Sequence, residues 1–168
     1  MRRFLLLLAL IVSTSSNLGC QEASLNADQA EQVAQQVQAQ TVTKGGIDFV
    51  VGLEDGLKVA ESTGRPILMF FTAEWCTFCH QMEDDAFRNA AVQALASRFT
   101  CITIDADAEP KVCRKFGVSG FPTIQLFSPD GQPLQRLKGR QSAQQLQQGM
   151  NAALERFAWL GEPTSELH

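Results

Sequence analysis

The sequence predicts an α/β fold in which a central mixed β-sheet is flanked by helices on both faces. Three observations lead there. Residues 67–71 form an unbroken apolar run of strand length, the pattern of a strand buried on both faces. That run passes within a few residues into helical spacing, with Cys79, Met82, Ala86 and Phe87 on one side. Short apolar runs and amphipathic stretches then alternate to the C-terminus, the order of a sheet covered by helices.

Each element has its own local cause. Residues 47–51 are a short apolar run and read as the first strand. Residues 53–62 place Leu53, Leu57 and Ala60 on one face of a helix, and Gly64-Arg65-Pro66 ends it. The central strand at 67–71 follows. The helix after it is predicted to continue unbroken to about Ser97. Residues 99–105 read as another buried strand, and 109–116 as a short helix stopped by Gly117. Residues 123–127 and 132–137 are strands joined by the turn Ser128-Pro129-Asp130-Gly131. Ser142 is placed to cap a last helix whose Leu146, Met150, Leu154 and Phe157 share a face.

The 168 residues suit one domain plus a leader, and a hydrophobic content of 45% suits a real core. Residues 1–19 read as an export signal: Arg2 and Arg3, then nine apolar residues, then Ser13 to Ser16. Nine apolar residues are too few to span a bilayer. The signal ends Asn17-Leu18-Gly19-Cys20, which resembles a bacterial lipobox and makes Cys20 the candidate lipidation site. Asn17 departs from that pattern, since an aliphatic residue is usual there. A soluble exported protein is the other reading. Residues 20–46, rich in Gln and Ala, are expected to be a tether. Their only large aliphatics from 28 to 40 are Val33 and Val37, too thin a stripe to fix a helix on a core. The domain proper is expected at 47–168. The formal charge is -4, and without a basic stripe that excludes nucleic acid as a partner.

The chemistry lies between the central strand and its helix. Cys76 falls at the predicted helix N-terminus, where partial positive charge and unpaired N–H groups favour a thiolate. Cys79, one turn on, is placed to attack a mixed disulfide formed at Cys76. The pair reads as a reversible dithiol/disulfide switch.

Ala73-Glu74-Trp75-Cys76-x-x-Cys79, followed about forty residues later by Phe116-Gly117-Val118-x-Gly120-Phe121-Pro122-Thr123, resembles the thioredoxin family. The resemblance covers about residues 47–160. It implies the thioredoxin fold and a thiol–disulfide oxidoreductase, with Cys76 as nucleophile and Cys79 as resolving thiol. It also implies a cis peptide bond before Pro122, and an apolar substrate platform of Trp75 and Phe121. Trp75 buried in the core is the alternative. Glu74 and His80 are candidates for tuning the thiols, His80 equally a plain solvated residue.

Several departures from thioredoxin itself matter. Thioredoxin has a buried Asp six residues before its first active-site Cys, and Phe70 stands there. Its partner Lys aligns with Cys101. Losing both halves is coherent, since one alone would be a buried unpaired charge. The dipeptide Thr77-Phe78 is neither Gly-Pro nor the Pro-His of strongly oxidising bacterial enzymes. The sequence is similar to exported thioredoxin-like proteins, including the C-terminal domain of the bacterial transmembrane disulfide reductase.

Other readings of the cysteines stand beside this one. Cys76-Thr77-Phe78-Cys79-His80 also fits the c-type haem attachment sequence. A zinc site would need Cys101 and Cys113 as a second pair of ligands. Those two are expected to be separate buried thiols, with a structural disulfide between them as the alternative. Asp105, Asp107 and Glu109 alternate but lack the glycine and final Glu of a calcium loop.

The expectation is therefore an extracytoplasmic thiol–disulfide oxidoreductase, running reductively, with no metal and no cofactor. Its partners would be protein thiols and disulfides, a membrane redox partner, and the membrane itself through an N-terminal lipid. Disulfide oxidase or isomerase chemistry is one alternative. A thioredoxin scaffold that binds partners with little turnover is another.

Overall fold

The computed structural model describes residues 39–161. The signal at 1–19, Cys20 and most of the expected tether lie outside the described residues.

The central apolar run forms β3 (Ile67–Thr72), and all six of its residues are buried. Side chains alternate across a strand, so Ile67, Met69 and Phe71 join one apolar layer and Leu68 and Phe70 the other. β4 (Thr100–Asp105) lies parallel to β3 along its whole length, and β2 (Ile47–Val51) lies parallel to β4. On the other side of β3, β5 (Thr123–Phe127) runs antiparallel and pairs with β6 (Pro133–Lys138), also antiparallel. The sheet is mixed, in the order β1-β2-β4-β3-β5-β6.

Helices α1 (Leu53–Thr63) and α4 (Pro110–Lys115) cover one face, with Ala60 and Cys113 against Met69, Phe71 and Ile102. Helices α2 (Thr77–Asp84), α3 (Ala90–Ala96) and α5 (Ala143–Gly161) cover the other. α5 buries Leu146, Met150 and Leu154 on one stripe, with Phe157 packed at its margin. At its start, Ser142 Oγ accepts the N–H of Gln145 at 3.3 Å, and Gln145 Oε1 accepts the N–H of Ser142 at 2.9 Å. This reciprocal pair is a capping box.

Three expectations are corrected. The expected tether runs to residue 46, but Thr41–Lys44 form β1, an antiparallel partner of β2. Gly45 and Gly46 are the hairpin turn, at φ +57° and +85°. Positive φ at both central residues suits the tight turn that joins twisted strands. A Cβ on Gly45 would stand 2.2 Å from the Glu83 carbonyl oxygen, so the turn lies directly on α2. The Lys44–Glu83 ion pair, at 2.9 Å, fastens the same contact.

The long helix after β3 is two. α2 stops at Asp84, and Asn89 starts α3 by accepting the N–H groups of Ala91 (3.0 Å) and Val92 (3.3 Å). Gln93 then ties the break to the hairpin, donating to the carbonyls of Phe87 and Gly45. Finally, Leu57 is not on the buried side of α1. It is 40% exposed, while Gly56, Val59, Ala60 and Thr63 face inward. The small Gly56 is what the interior selects: a Cβ there would meet Ile102 at 2.5 Å.

Candidate active site

The parallel strands β3 and β4 end together at Thr72 and Asp105. Beyond Thr72, Ala73, Glu74 and Trp75 carry the chain across the end of the sheet. Cys76 then caps α2, its own N–H donating to the Ala73 carbonyl at 3.0 Å. The Cys76 carbonyl accepts from the N–H groups of Cys79 (3.0 Å) and His80 (3.2 Å). Its Sγ accepts from the Cys79 N–H at 3.2 Å. A sulfur so placed faces the positive end of the helix dipole, which stabilises negative charge on it.

Cys76 and Cys79 are joined by a disulfide, with Cα atoms 5.2 Å apart. Their exposures differ in a useful way. Cys79 is fully buried, while Cys76 keeps 5% of its surface. An incoming sulfur therefore meets Cys76 first. Around it, Trp75 is 65% exposed and Phe78 60%. Two large apolar side chains thus stand in solvent beside the disulfide. Trp75 is therefore not a core residue. Its ring meets Phe121 edge to face, centroids 5.9 Å apart.

Phe121 arrives there through the antiparallel register of β5, which pairs Thr123 with Phe71 and sets Pro122 at the same end of the sheet. The Phe121–Pro122 peptide bond is cis. The loop is held by Gly139 N–H donating to the Pro122 carbonyl at 2.8 Å, and by Thr123 Oγ1 donating to the Gly120 carbonyl at 2.8 Å. The structure thus brings together Trp75, Cys76, Cys79, Phe121 and Pro122. Glu74 and His80 are exposed beside them, on the turn into α2 and in its first turn.

Beneath the disulfide the interior is apolar. Phe70 is fully buried in the same layer as Cys79, with its ring 5.1 Å from Phe87 and 5.9 Å from Phe49. Among the described residues, the buried polar side chains are hydroxyls and the Gln125 amide, with no carboxylate or amine. The ion pair of thioredoxin is replaced by packed apolar volume.

Cys101 and Cys113 are both free and buried. Cys101 lies in the layer of α2, α3 and α5, and Cys113 in that of α1 and α4, so the sheet stands between them. The alternative of a disulfide joining them fails on that separation, and so does their use as a shared pair of zinc ligands. Burial pushes the Cys101 thiol up to about 12, and burial likewise raises Cys113. Both shifts favour the protonated thiol at neutral pH. The haem reading also fails: the two sulfurs that would carry the thioethers are bonded to each other, and Cys79 has no exposed surface.

Sequence reasoning missed two features. Phe78 lies within the C-x-x-C loop, where helical spacing alone does not say which way it points. A cleft of about 210 Å³ adjoins the cis-proline loop, lined by Phe121, Arg136 and Lys138 among others. A larger cleft of about 340 Å³ opens at the opposite end of the sheet, near Asp48, Arg65 and Cys101, and touches neither sulfur of the disulfide.

A mixed sheet of this order, with a C-x-x-C pair at disulfide distance on the first turn of a helix, defines a thioredoxin fold carrying a dithiol/disulfide pair. The chain belongs to the thioredoxin-like domain family, which it matches over residues 53–154. It is 30% identical over 106 residues to protein disulfide isomerase-like 2-2 of rice (Oryza sativa subsp. japonica), covering 63% of this chain and 29% of that one. It is 30% identical over 115 residues to the thiol:disulfide interchange protein DsbD of Pectobacterium atrosepticum, covering 65% of this chain and 19% of that one. The chain thus spans less than a third of the length of these relatives. The solution structure of a thioredoxin from Thermus thermophilus superposes with a TM-score of 0.60 at 21% identity, covering 71% of this chain and 98% of the other. At that identity the likeness shows the fold.

Proposed function

We propose that this protein is an extracytoplasmic thiol–disulfide oxidoreductase working in the reductive direction. The observation that carries the chemistry is the asymmetry of the pair: Cys76 at the helix cap with its edge in solvent, Cys79 wholly buried behind it. In the dithiol state the Cys76 thiolate attacks one sulfur of a substrate disulfide, and the other substrate sulfur leaves as thiolate. Cys79 then loses its proton and attacks Cys76 Sγ. The second substrate thiolate departs and the Cys76–Cys79 disulfide forms. The substrate gains two electrons and the protein dithiol loses two, which a reductant must later restore.

Trp75, Phe78 and Phe121 supply an apolar floor for the substrate chain, and the backbone at Phe121 and Pro122, just before β5, offers groups for it to pair with. With Phe70 in place of a buried carboxylate, the proton of Cys79 must leave through water or an exposed group such as Glu74. The export signal, the candidate lipidation of Cys20 and the similarity to DsbD support a position outside the cytoplasm and a membrane redox partner. Among the described residues no helix is long and apolar enough to cross a membrane. A Cys20→Ser variant recovered unchanged in the membrane fraction would overturn lipidation.

The missing buried carboxylate favours a second reading, a scaffold that holds partners with little turnover. Replacing Cys79 with Ser separates the two. The enzyme accumulates mixed disulfides with its substrates at Cys76, released by dithiothreitol. A scaffold keeps its partners without any reducible bond.

A further inference from the structure

The charge of this chain is divided along the sequence, and the fold turns that division into a surface. Residues 47–110 hold eleven Asp and Glu against four Lys and Arg. Residues 111–154 hold six Lys and Arg against one acid, Asp130. Asp130 lies in the turn between β5 and β6, at the Ile67 end of the sheet and away from the disulfide. The cis-proline loop therefore lies in the acid-poor part of the sequence.

Two of those cations line the cleft beside it. Arg136 and Lys138 alternate on the edge strand β6, so they share a face, and Phe121 lines the same cleft. Arg136 donates from Nη2 to the Gly117 carbonyl at 2.6 Å, which fixes its guanidinium at the cleft and leaves its other N–H groups as donors. Arg140 is engaged differently, in an ion pair with Asp85. No carboxylate lines the cleft. Phe121 is the link: one part of it meets Trp75 at the disulfide rim, and another forms a wall of the basic cleft. A peptide whose cysteine sits at Cys76 has its neighbours within about 3.3 Å per residue of extended chain, and passes Phe121 on the way.

Resting on the oxidoreductase reading above, we propose that Arg136 and Lys138 form a specificity pocket for acidic residues flanking the reactive cysteine of a protein substrate. The acidic flank passes on the Phe121 side.

The test uses the full chain, reduced, against two disulfide-linked peptides that differ only in carrying Asp or Lys beside the cysteine. Bis(2-hydroxyethyl) disulfide, small and uncharged, is the third substrate. Rates are read from tryptophan fluorescence at low ionic strength and again in high salt. The Asp peptide is expected to react about five-fold faster at low salt, with the ratio approaching one in high salt as the charges are screened. Lys138→Glu, at an exposed position that folding tolerates, is expected to lower or invert the ratio. Equal rates for the two peptides, with the uncharged disulfide still reduced, would overturn the acidic pocket and leave the oxidoreductase standing. So would a preference that Lys138→Glu does not change. Failure to reduce the uncharged disulfide would overturn both.

Discussion

At the scale of single residues, place in the fold rather than degree of burial separates Cys76 from the other cysteines described here. Cys76 has both an edge in solvent and a helix terminus to hold its negative charge. Cys101 and Cys113 are as little exposed as Cys76, at 6% and 5% against 5%, but they lie within β4 and α4 rather than at a helix cap, and burial raises the pKa of both thiols. After reduction in native conditions near neutral pH, alkylation followed by peptide mass mapping is expected to mark Cys76 first and to leave Cys101 and Cys113 unmarked until denaturant is added. The raised Cys101 value also ties stability to pH. The folded state keeps a proton that the unfolded chain loses above 9.0, so stability holds below that pH and falls as pH rises towards about 12. The slope can reach about 1.4 kcal/mol per pH unit from this group. Urea unfolding at pH 8 and pH 10 measures it, and a Cys101→Ala variant is expected to lose that part of the slope. Phe70 makes the complementary point. Restoring a carboxylate with Phe70→Asp removes a ring packed on Phe49 and Phe87 and buries a charge among apolar groups. A cost of about 3–5 kcal/mol or more is expected in the urea midpoint.

At the scale of elements, what could be read from the sequence depended on how local its cause was. The central strand was legible because five consecutive apolar residues, 67–71, bounded by Pro66, are too few for a helix and suit a strand buried on both faces. The capping of α5 by Ser142 was legible because the motif is four residues long. The break between α2 and α3 was not read, although its agent was visible. Asn89 sits inside a stretch of good apolar spacing, and spacing outweighed a single capping residue. Asn89→Ala is expected to cost about 1 kcal/mol by removing the acceptor of two N–H groups. β1 was missed for a different reason. Its four residues are mostly exposed, so they carry little apolar pattern, and Gly45-Gly46 reads equally as a flexible joint. What makes it a turn is contact with α2, distant in sequence. Gly45→Ala meets both positive φ and the Glu83 backbone, and about 1–3 kcal/mol of destabilisation is expected in the same measurement.

At the scale of the whole molecule, the site is a consequence of topology. Parallel β3 and β4 end at one edge, antiparallel β5 begins there, and the helix that follows β3 starts there. Cys76, Cys79 and Pro122 meet because of those three directions, although more than forty residues separate them. The two motifs were legible together through their likeness to the thioredoxin family. The basic cleft was not, since it needs β6 folded against the cis-proline loop before Arg136 and Lys138 share a surface with Phe121. The proposed chemistry depends on one bond being reversible, and its equilibrium against reduced and oxidised glutathione, followed by tryptophan fluorescence, tests it most directly. The expected result is a single reversible two-electron transition that vanishes in Cys76→Ser, at a potential nearer thioredoxin's, about -270 mV, than that of a strong oxidant, about -120 mV. A value near about -120 mV would contradict the reductive direction. The absence of any reversible transition would contradict the oxidoreductase itself.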